Sequence, residues 1–230
     1  MHRGLWIFLF LNGPLYEQDI FMEISGKKHL SMLRSYTTAD MFTIGNATCG
    51  TLSIFLCLDY IAEASNRFLW IAFILLLAAL FFDIFDGYWA RRSGRKSILG
   101  ADLDSLSDII SFGVAPAVLG FTLGMRGGWD MLILAFFVVC GISRLARFNV
   151  TAEALSAGTG KVKYFEGTPI PTSILIVLLL GVAFSKQAID NDLWFGAYHL
   201  LSVATLHPLT LIYLLSGLGM ISATIRIPKP

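Results

Sequence analysis

Six apolar segments fill most of residues 41–223, and they fix the solvent in which this chain must fold. They lie at about 41–60, 68–86, 104–123, 129–148, 170–184 and 203–223. A helix needs about 20 mainly apolar residues to cross a hydrocarbon core roughly 30 Å thick, and most of these runs approach that length. Of the 230 residues, 56% are hydrophobic and only 14% are charged, too apolar for an ordinary soluble domain. The expected fold is all-α and integral to the membrane: six transmembrane helices within residues 38–230, the first capped by Asp40. Residues 1–37 read as a variable N-terminal extension. Lys27, Lys28, Leu30, Met32, Leu33, Arg34 and Tyr36 suit an amphipathic interfacial helix over 26–39. The apolar run Leu5–Leu11 is too short to span.

The basic residues orient this arrangement. With six spans, both termini share a side. If that side is cytoplasmic, only Arg67, Arg126 and Lys186 face away, against fourteen of the 17 lysines and arginines facing in. A net charge of +1 gives no general attraction to nucleic acid. Cys49, Cys57 and Cys140 fall in apolar runs without CxxC spacing, so they read as buried small hydrophobes. The histidines form no ligand motif, and His207 reads as a packed or interfacial side chain.

Against this apolar background one polar stretch stands out: Asp83-Ile-Phe-Asp86-Gly87-Tyr-Trp-Ala90-Arg91, then Gly100, Asp104 and Asp108. Helical spacing puts Asp83 with Asp86 on one face, and Asp104 with Asp108 on another. The first pair ends the second span and the second pair begins the third. The short loop 93–99 therefore brings all four carboxylates to one depth near the cytoplasmic interface. Ionisable groups at membrane depth are costly and mark function. An oxygen-only cage of this charge suits hard divalent cations, Mg2+ or Mn2+. Such a site serves phosphoryl transfer, in which the ions bridge a diphosphate and stabilise its leaving phosphate. Gly87 lets a diphosphate approach the backbone, Ala90 leaves room beside it, and Arg91 offers a forked donor for phosphate oxygens. A cation-coupled transporter is the rival from another class. It would place its site near mid-membrane, and it leaves Gly87, Ala90, Arg91 and Gly100 unexplained.

The spacing Asp-x2-Asp-Gly-x2-Ala-Arg-x8-Gly-x3-Asp-x3-Asp resembles the signature of the CDP-alcohol phosphatidyltransferase family, with every position present. The resemblance covers about residues 38–230. It implies that Asp83, Asp86, Asp104 and Asp108 hold two divalent ions, Mn2+ or Mg2+, and that Asp108 is also the general base. It further implies that Gly87, Ala90, Arg91 and Gly100 bind CDP-diacylglycerol. Asn46, with Thr43 on the first span, contacts either the nucleotide or another helix.

Three more stretches, Ser107–Ala117, Ser143–Asn149 and Tyr164–Thr172, resemble the phosphatidylserine synthase branch, closest to its fungal type. That likeness implies L-serine as acceptor and CMP as the leaving product. Arg144 and Arg147, three apart on a helix, are candidates for the serine carboxylate, with Phe148 walling the pocket; positive-inside anchoring is the alternative. Glu166 faces either the serine ammonium or a loop ion pair with Lys161 or Lys163. Another alcohol, inositol or glycerol 3-phosphate, is the rival acceptor. The resemblance also implies a homodimer in the lipid bilayer, for which small-residue faces such as Gly217-Leu-Gly219 are suited. The fungal-type likeness favours the endoplasmic reticulum membrane; a prokaryotic source would mean the plasma membrane.

Overall fold

The computed structural model describes residues 37–93, 100–156, 164–200, 204–222 and 226–228. The expected surface helix up to residue 36, the loop 94–99, Lys161 and Lys163, and the side chains of Arg91 and Glu166 lie outside the described residues.

Helix α1, Thr38–Glu63, opens with a reciprocal capping box. Thr37 N–H donates to Asp40 Oδ2 at 2.6 Å, and Asp40 N–H donates to Thr37 Oγ1 at 3.3 Å. The cap is therefore Thr37, and Asp40 answers it from the first turn instead of capping the helix itself. Only Ala64 and Ser65 separate α1 from α2, Asn66–Ser93, so the two helices run antiparallel in close contact. Phe42 of α1 sits among Phe82, Phe85 and Trp89 of α2, with ring centroids 6.3, 6.1 and 6.2 Å away. That aromatic cluster fixes which face of α2 meets α1. The helix continues past Asp86 to Ser93, so the first carboxylate pair lies within it and not at its end.

The third span has an internal discontinuity. Helix α3, Gly100–Asp108, passes into a π-helical segment, Ile109–Val114, and then into α4, Ala115–Thr122. Ala115 N–H bonds to Ile110 O, five residues back. Pro116 has no N–H and its ring crowds the preceding turn, so an α-helical ladder cannot run unbroken through this point. The wider turn accommodates it directly after Asp108.

Helix α5, Gly128–Ser156, follows. Two shorter apolar helices complete the helical set, α6 at Ile174–Ser185 and α7 at Leu211–Ile221, each entered through a 3-10 turn. Among the described residues four three-residue strands lie outside the helices: β1 (Tyr164–Glu166) pairs with β4 (Arg226–Pro228), and β2 (Tyr198–Leu200) with β3 (Ala204–Leu206). The protein is thus mostly helical, with these small strand pairs added to the expected all-α architecture. Among the described residues four helical stretches are long and apolar enough to cross a membrane: Thr38–Glu63, Asn66–Ala90, Gly100–Thr122 and Gly128–Thr151. The apolar run 203–223 yields a strand and a shorter helix, because Pro208 holds His207 extended (ψ 125°) and begins the helical turn late.

The core gathers α4, α5 and α7 around fully buried Leu119, Phe137 and Tyr213. Tyr213 meets Phe137 edge-on at 5.2 Å and donates its hydroxyl to Pro116 O at 2.6 Å. Gly217 packs within the chain, where a Cβ would lie 3.4 Å from both Phe137 Cα and Cys140 Sγ. Gly219 packs internally as well, where a Cβ would lie 3.2 Å from Thr168 Oγ1, so both glycines considered for contacts between copies are used within the chain. The three cysteines are buried free thiols, as their apolar settings suggested.

Asp130, in the first turn of α5, is fully buried and ties this end of the molecule together. It accepts from Gly127 N–H and His207 N–H, each at 2.9 Å, and from Thr210 Oγ1 at 2.8 Å; His207 Nδ1 lies 2.6 Å from its Oδ2. His207 is thus a packed partner of Asp130. Asp130→Ala strands all of these groups in a buried site, and its expected cost is about 3–5 kcal/mol. A melting curve in detergent micelles checks this, and an unchanged midpoint would contradict it.

Candidate active site

The site forms where α1 crosses the two helices that carry aspartates. On α1, Thr43, Asn46 and Gly50 recur at helical spacing and all are buried. Gly50 is needed because of a close approach: a Cβ there would lie 2.4 Å from Ser111 Oγ and 2.8 Å from Ser111 Cα. The α1 backbone therefore rests against the π-helical segment. Ser107 and Ser111 fasten it there, donating to Thr43 O at 2.7 Å and to Asn46 O at 2.9 Å.

Three motif carboxylates converge. Ligand oxygens of Asp83, Asp104 and Asp108 all lie within 4.8 Å of one another, from positions that are half-buried, half-buried and buried. At an effective dielectric constant of about 20, unit negative charges at that spacing repel by roughly 3–4 kcal/mol per pair. Three such pairs approach the whole net stability of an ordinary domain, about 5–15 kcal/mol, so the arrangement calls for positive countercharge. The donor set is oxygen throughout, and Asp104 Oδ1 is buried with no hydrogen-bond partner. These residues fit a hard divalent cation. Asp86, the fourth expected ligand, is buried next to this triplet in sequence but is held separately, accepting from Thr43 Oγ1 at 2.8 Å.

Asn46 donates its Nδ2 to Asp108 Oδ1 at 3.2 Å, and its own Oδ1 is buried without a partner. Arg144 is half-buried on α5, within the electrostatic reach of Asp108, and its Nε has no hydrogen-bond partner. Arg147 and Phe148 occupy exposed positions one turn further on, Phe148 at 43%. Gly87, Ala90 and Gly100 are half-buried at or near the ends of α2 and α3, beside the carboxylates in sequence. Ser105 and Asn149 exchange hydrogen bonds at 3.0 and 3.3 Å, joining α3 to α5 next to Arg147 and Phe148. Next to the carboxylates, a groove of about 440 Å3 runs between α1 and α3, lined by Thr43 and Ser107 and by apolar residues that include Leu52, Phe55, Leu103 and Leu106.

Three of the four expected carboxylates and Asn46 are thus brought together, with Arg144 in electrostatic range of Asp108 and Asp86 held by Thr43, whereas Arg147 and Phe148 stay at the surface. Ser107, Ser111 and Gly50 also belong to the site; the two serines lie in the Ser107–Ala117 stretch that carries the branch likeness, but no role was expected of any of the three. Their signal was present: Ser107 and Ser111 are four apart and follow Asp104 at helical spacing, and Gly50 follows Asn46 by four.

Residues 36–213 match the sequence model of the CDP-alcohol phosphatidyltransferase family. The chain belongs to this family. It is similar to the CDP-diacylglycerol–serine O-phosphatidyltransferase of Saccharomyces cerevisiae, at 41% identity over 220 residues, covering 95% of this chain and 80% of that protein. The archaetidylserine synthase of Methanothermobacter thermautotrophicus is 41% identical over 141 residues, 60% of this chain and 54% of that protein. The CDP-diacylglycerol–serine O-phosphatidyltransferase of Bacillus subtilis is 31% identical over 147 residues, 63% of this chain and 75% of that protein.

Gly50→Val forces the Ser111 backbone away from α1. The expected loss is about 1–3 kcal/mol, the usual cost of overpacking. It is read as a lowered melting midpoint in detergent, and parental stability would show that the two backbones do not need this approach.

Proposed function

We propose that this protein transfers a phosphatidyl group from CDP-diacylglycerol to L-serine, yielding phosphatidylserine and CMP. The observation that carries the reading is the convergence of Asp83, Asp104 and Asn46 on Asp108. The likeness to the yeast enzyme across 95% of the chain supports serine as the acceptor.

Asp108 takes the proton of the serine hydroxyl. The serine oxygen then attacks the phosphorus that bears diacylglycerol, the bond to the CMP phosphate breaks, and CMP departs with the electron pair. Divalent ions, two of Mn2+ or Mg2+ held by Asp83, Asp86, Asp104 and Asp108, would neutralise the diphosphate and the leaving phosphate. Gly87, Ala90, Arg91 and Gly100 are the proposed contacts of the CDP moiety. Arg144 is the proposed anchor of the serine carboxylate: its buried Nε lacks a hydrogen-bond partner among the described residues, and a guanidinium in electrostatic range of the base would orient the acceptor. Arg147 and Phe148 flank it as further proposed contacts.

We further infer that Ile170–Ser185 and Pro208–Ile221 supply the fifth and sixth spans. The excess of basic residues on one side then sets the site at the cytoplasmic face. The proposed setting is the endoplasmic reticulum membrane, with a homodimer as the assembly and residues 1–37 as an interfacial extension of the catalytic domain 38–230.

The deciding assay follows CMP release by purified protein with CDP-diacylglycerol and Mn2+, with serine, inositol, glycerol 3-phosphate or no alcohol in parallel. Release is expected with serine alone; release with a different alcohol would overturn the acceptor, and none at all the reaction. Asp108→Asn is expected to cut turnover by about 100-fold or more. Arg144→Ala is expected to raise the KM for serine roughly 10-fold or more, the worth of a charged hydrogen bond, and that for CDP-diacylglycerol far less. Equal changes in both would return Arg144 to a topological role.

A further inference from the structure

The signature accounts for the carboxylates but not for what holds them, and α1 lies outside it. Two side chains of α1 each clasp one motif carboxylate: Thr43 Oγ1 donates to Asp86 Oδ2 at 2.8 Å, and Asn46 Nδ2 donates to Asp108 Oδ1 at 3.2 Å. Both are three apart on one helical face, and they reach the last carboxylate of each aspartate pair. Their main-chain carbonyls are in turn gripped from α3 and the π-helical segment, Thr43 O by Ser107 Oγ at 2.7 Å and Asn46 O by Ser111 Oγ at 2.9 Å. Thr43, Asn46, Ser107 and Ser111 are 3, 0, 2 and 0% exposed, so water does not compete for these bonds.

We propose that Thr43 and Asn46 are positioning residues that orient Asp86 and Asp108 for the divalent ion, and that Asn46 serves the carboxylate and not the nucleotide. The proposal rests on the reading that the aspartates hold such an ion. A carboxylate has two oxygens and one soft terminal torsion. A donor fixed on one oxygen sets the plane of the group and leaves the other oxygen available as a ligand. Thr43 is held in place as well, since its hydroxyl also lies 3.2 Å from Ala39 O, the weaker of its two acceptors. The serine bonds to the α1 backbone hold the clasp at a fixed height over both carboxylates. They do not depend on the Thr43 or Asn46 side chains, so removing those side chains leaves the helix contact standing.

Outer partners of this kind typically change metal affinity or activity by 10–100-fold when removed. The test uses the full chain in detergent micelles without substrate. Mn2+ binding is measured from the electron paramagnetic resonance signal of the free ion, for the parent, Thr43→Val, Thr43→Ser and Asn46→Leu. Thr43→Val and Asn46→Leu are expected to weaken Mn2+ binding about 10–100-fold, and Thr43→Ser, which keeps the donor, to restore it. At saturating Mn2+ the KM for CDP-diacylglycerol should be nearly unchanged while kcat falls. Variants that melt like the parent and bind Mn2+ as tightly would overturn the clasp. A raised KM for CDP-diacylglycerol with unaltered Mn2+ binding would make Asn46 a nucleotide contact instead. A parent that binds no Mn2+ would overturn the metal reading, and this inference with it. Should Asn46→Leu fail to fold, the Thr43→Val and Thr43→Ser pair decides.

Discussion

Mutual repulsion among buried carboxylates is the constraint on which this structure turns. Asp83, Asp104 and Asp108 bring oxygens within 4.8 Å of one another inside a bundle whose core is mainly apolar. Nothing in the composition of such a bundle favours that arrangement, and an isolated charge at membrane depth already costs several kcal/mol. The geometry persists because the surrounding helices enforce it. The aromatic packing of Phe42 on α2, the two-residue link between α1 and α2, and the serine bonds from α3 and the π-helical segment to the α1 backbone all act toward one alignment. The site is therefore a product of helix packing, and its oxygen-only donor set suits a divalent cation as the countercharge.

The π-helical segment has a particular place in that packing. It begins directly after Asp108 and ends just before Pro116, so the proline that prevents a regular helix lies less than three turns from the proposed base. The wide turn carries Ser111, whose backbone rests against Gly50, and Tyr213 donates to Pro116 O at its far end. An irregular turn, a glycine and a tyrosine from a distant helix thus pack around the segment that follows Asp108, the proposed base. The Asp130 network holds the opposite end of α5, so Arg144 enters the site from a helix anchored well away from it.

Much of this was legible in the sequence because membrane depth makes polar residues conspicuous. The motif aspartates could be paired from helical spacing alone, and the long spans could be placed from apolar run length. Asn46 was visible as an amide within an apolar run, but its partner was not. Which face of α1 meets α3 depends on the aromatic contacts and on Gly50, and these are properties of the packed state. The capping role fell to Thr37 because a capping box needs a hydroxyl before the helix, which one acidic residue inside the first turn does not reveal. The run 203–223 misled for a local reason: its apolar character continues through β3, and Pro208 decides where a helix can start. Arg144 and Arg147 look equivalent as letters, and only the rotation of α5 separates a half-buried guanidinium from an exposed one.

Membership of the CDP-alcohol phosphatidyltransferase family and the geometry of the site meet at the same residues. The family signature names the carboxylates, and the fold supplies the outer contacts that hold two of them still. The most direct measurement of this account is an anomalous diffraction map, collected at the manganese absorption edge from crystals of the full chain grown with Mn2+. The account predicts density among Asp83, Asp86, Asp104 and Asp108, within coordination distance of their oxygens. Manganese bound elsewhere on the protein, with none at this cluster, would contradict it.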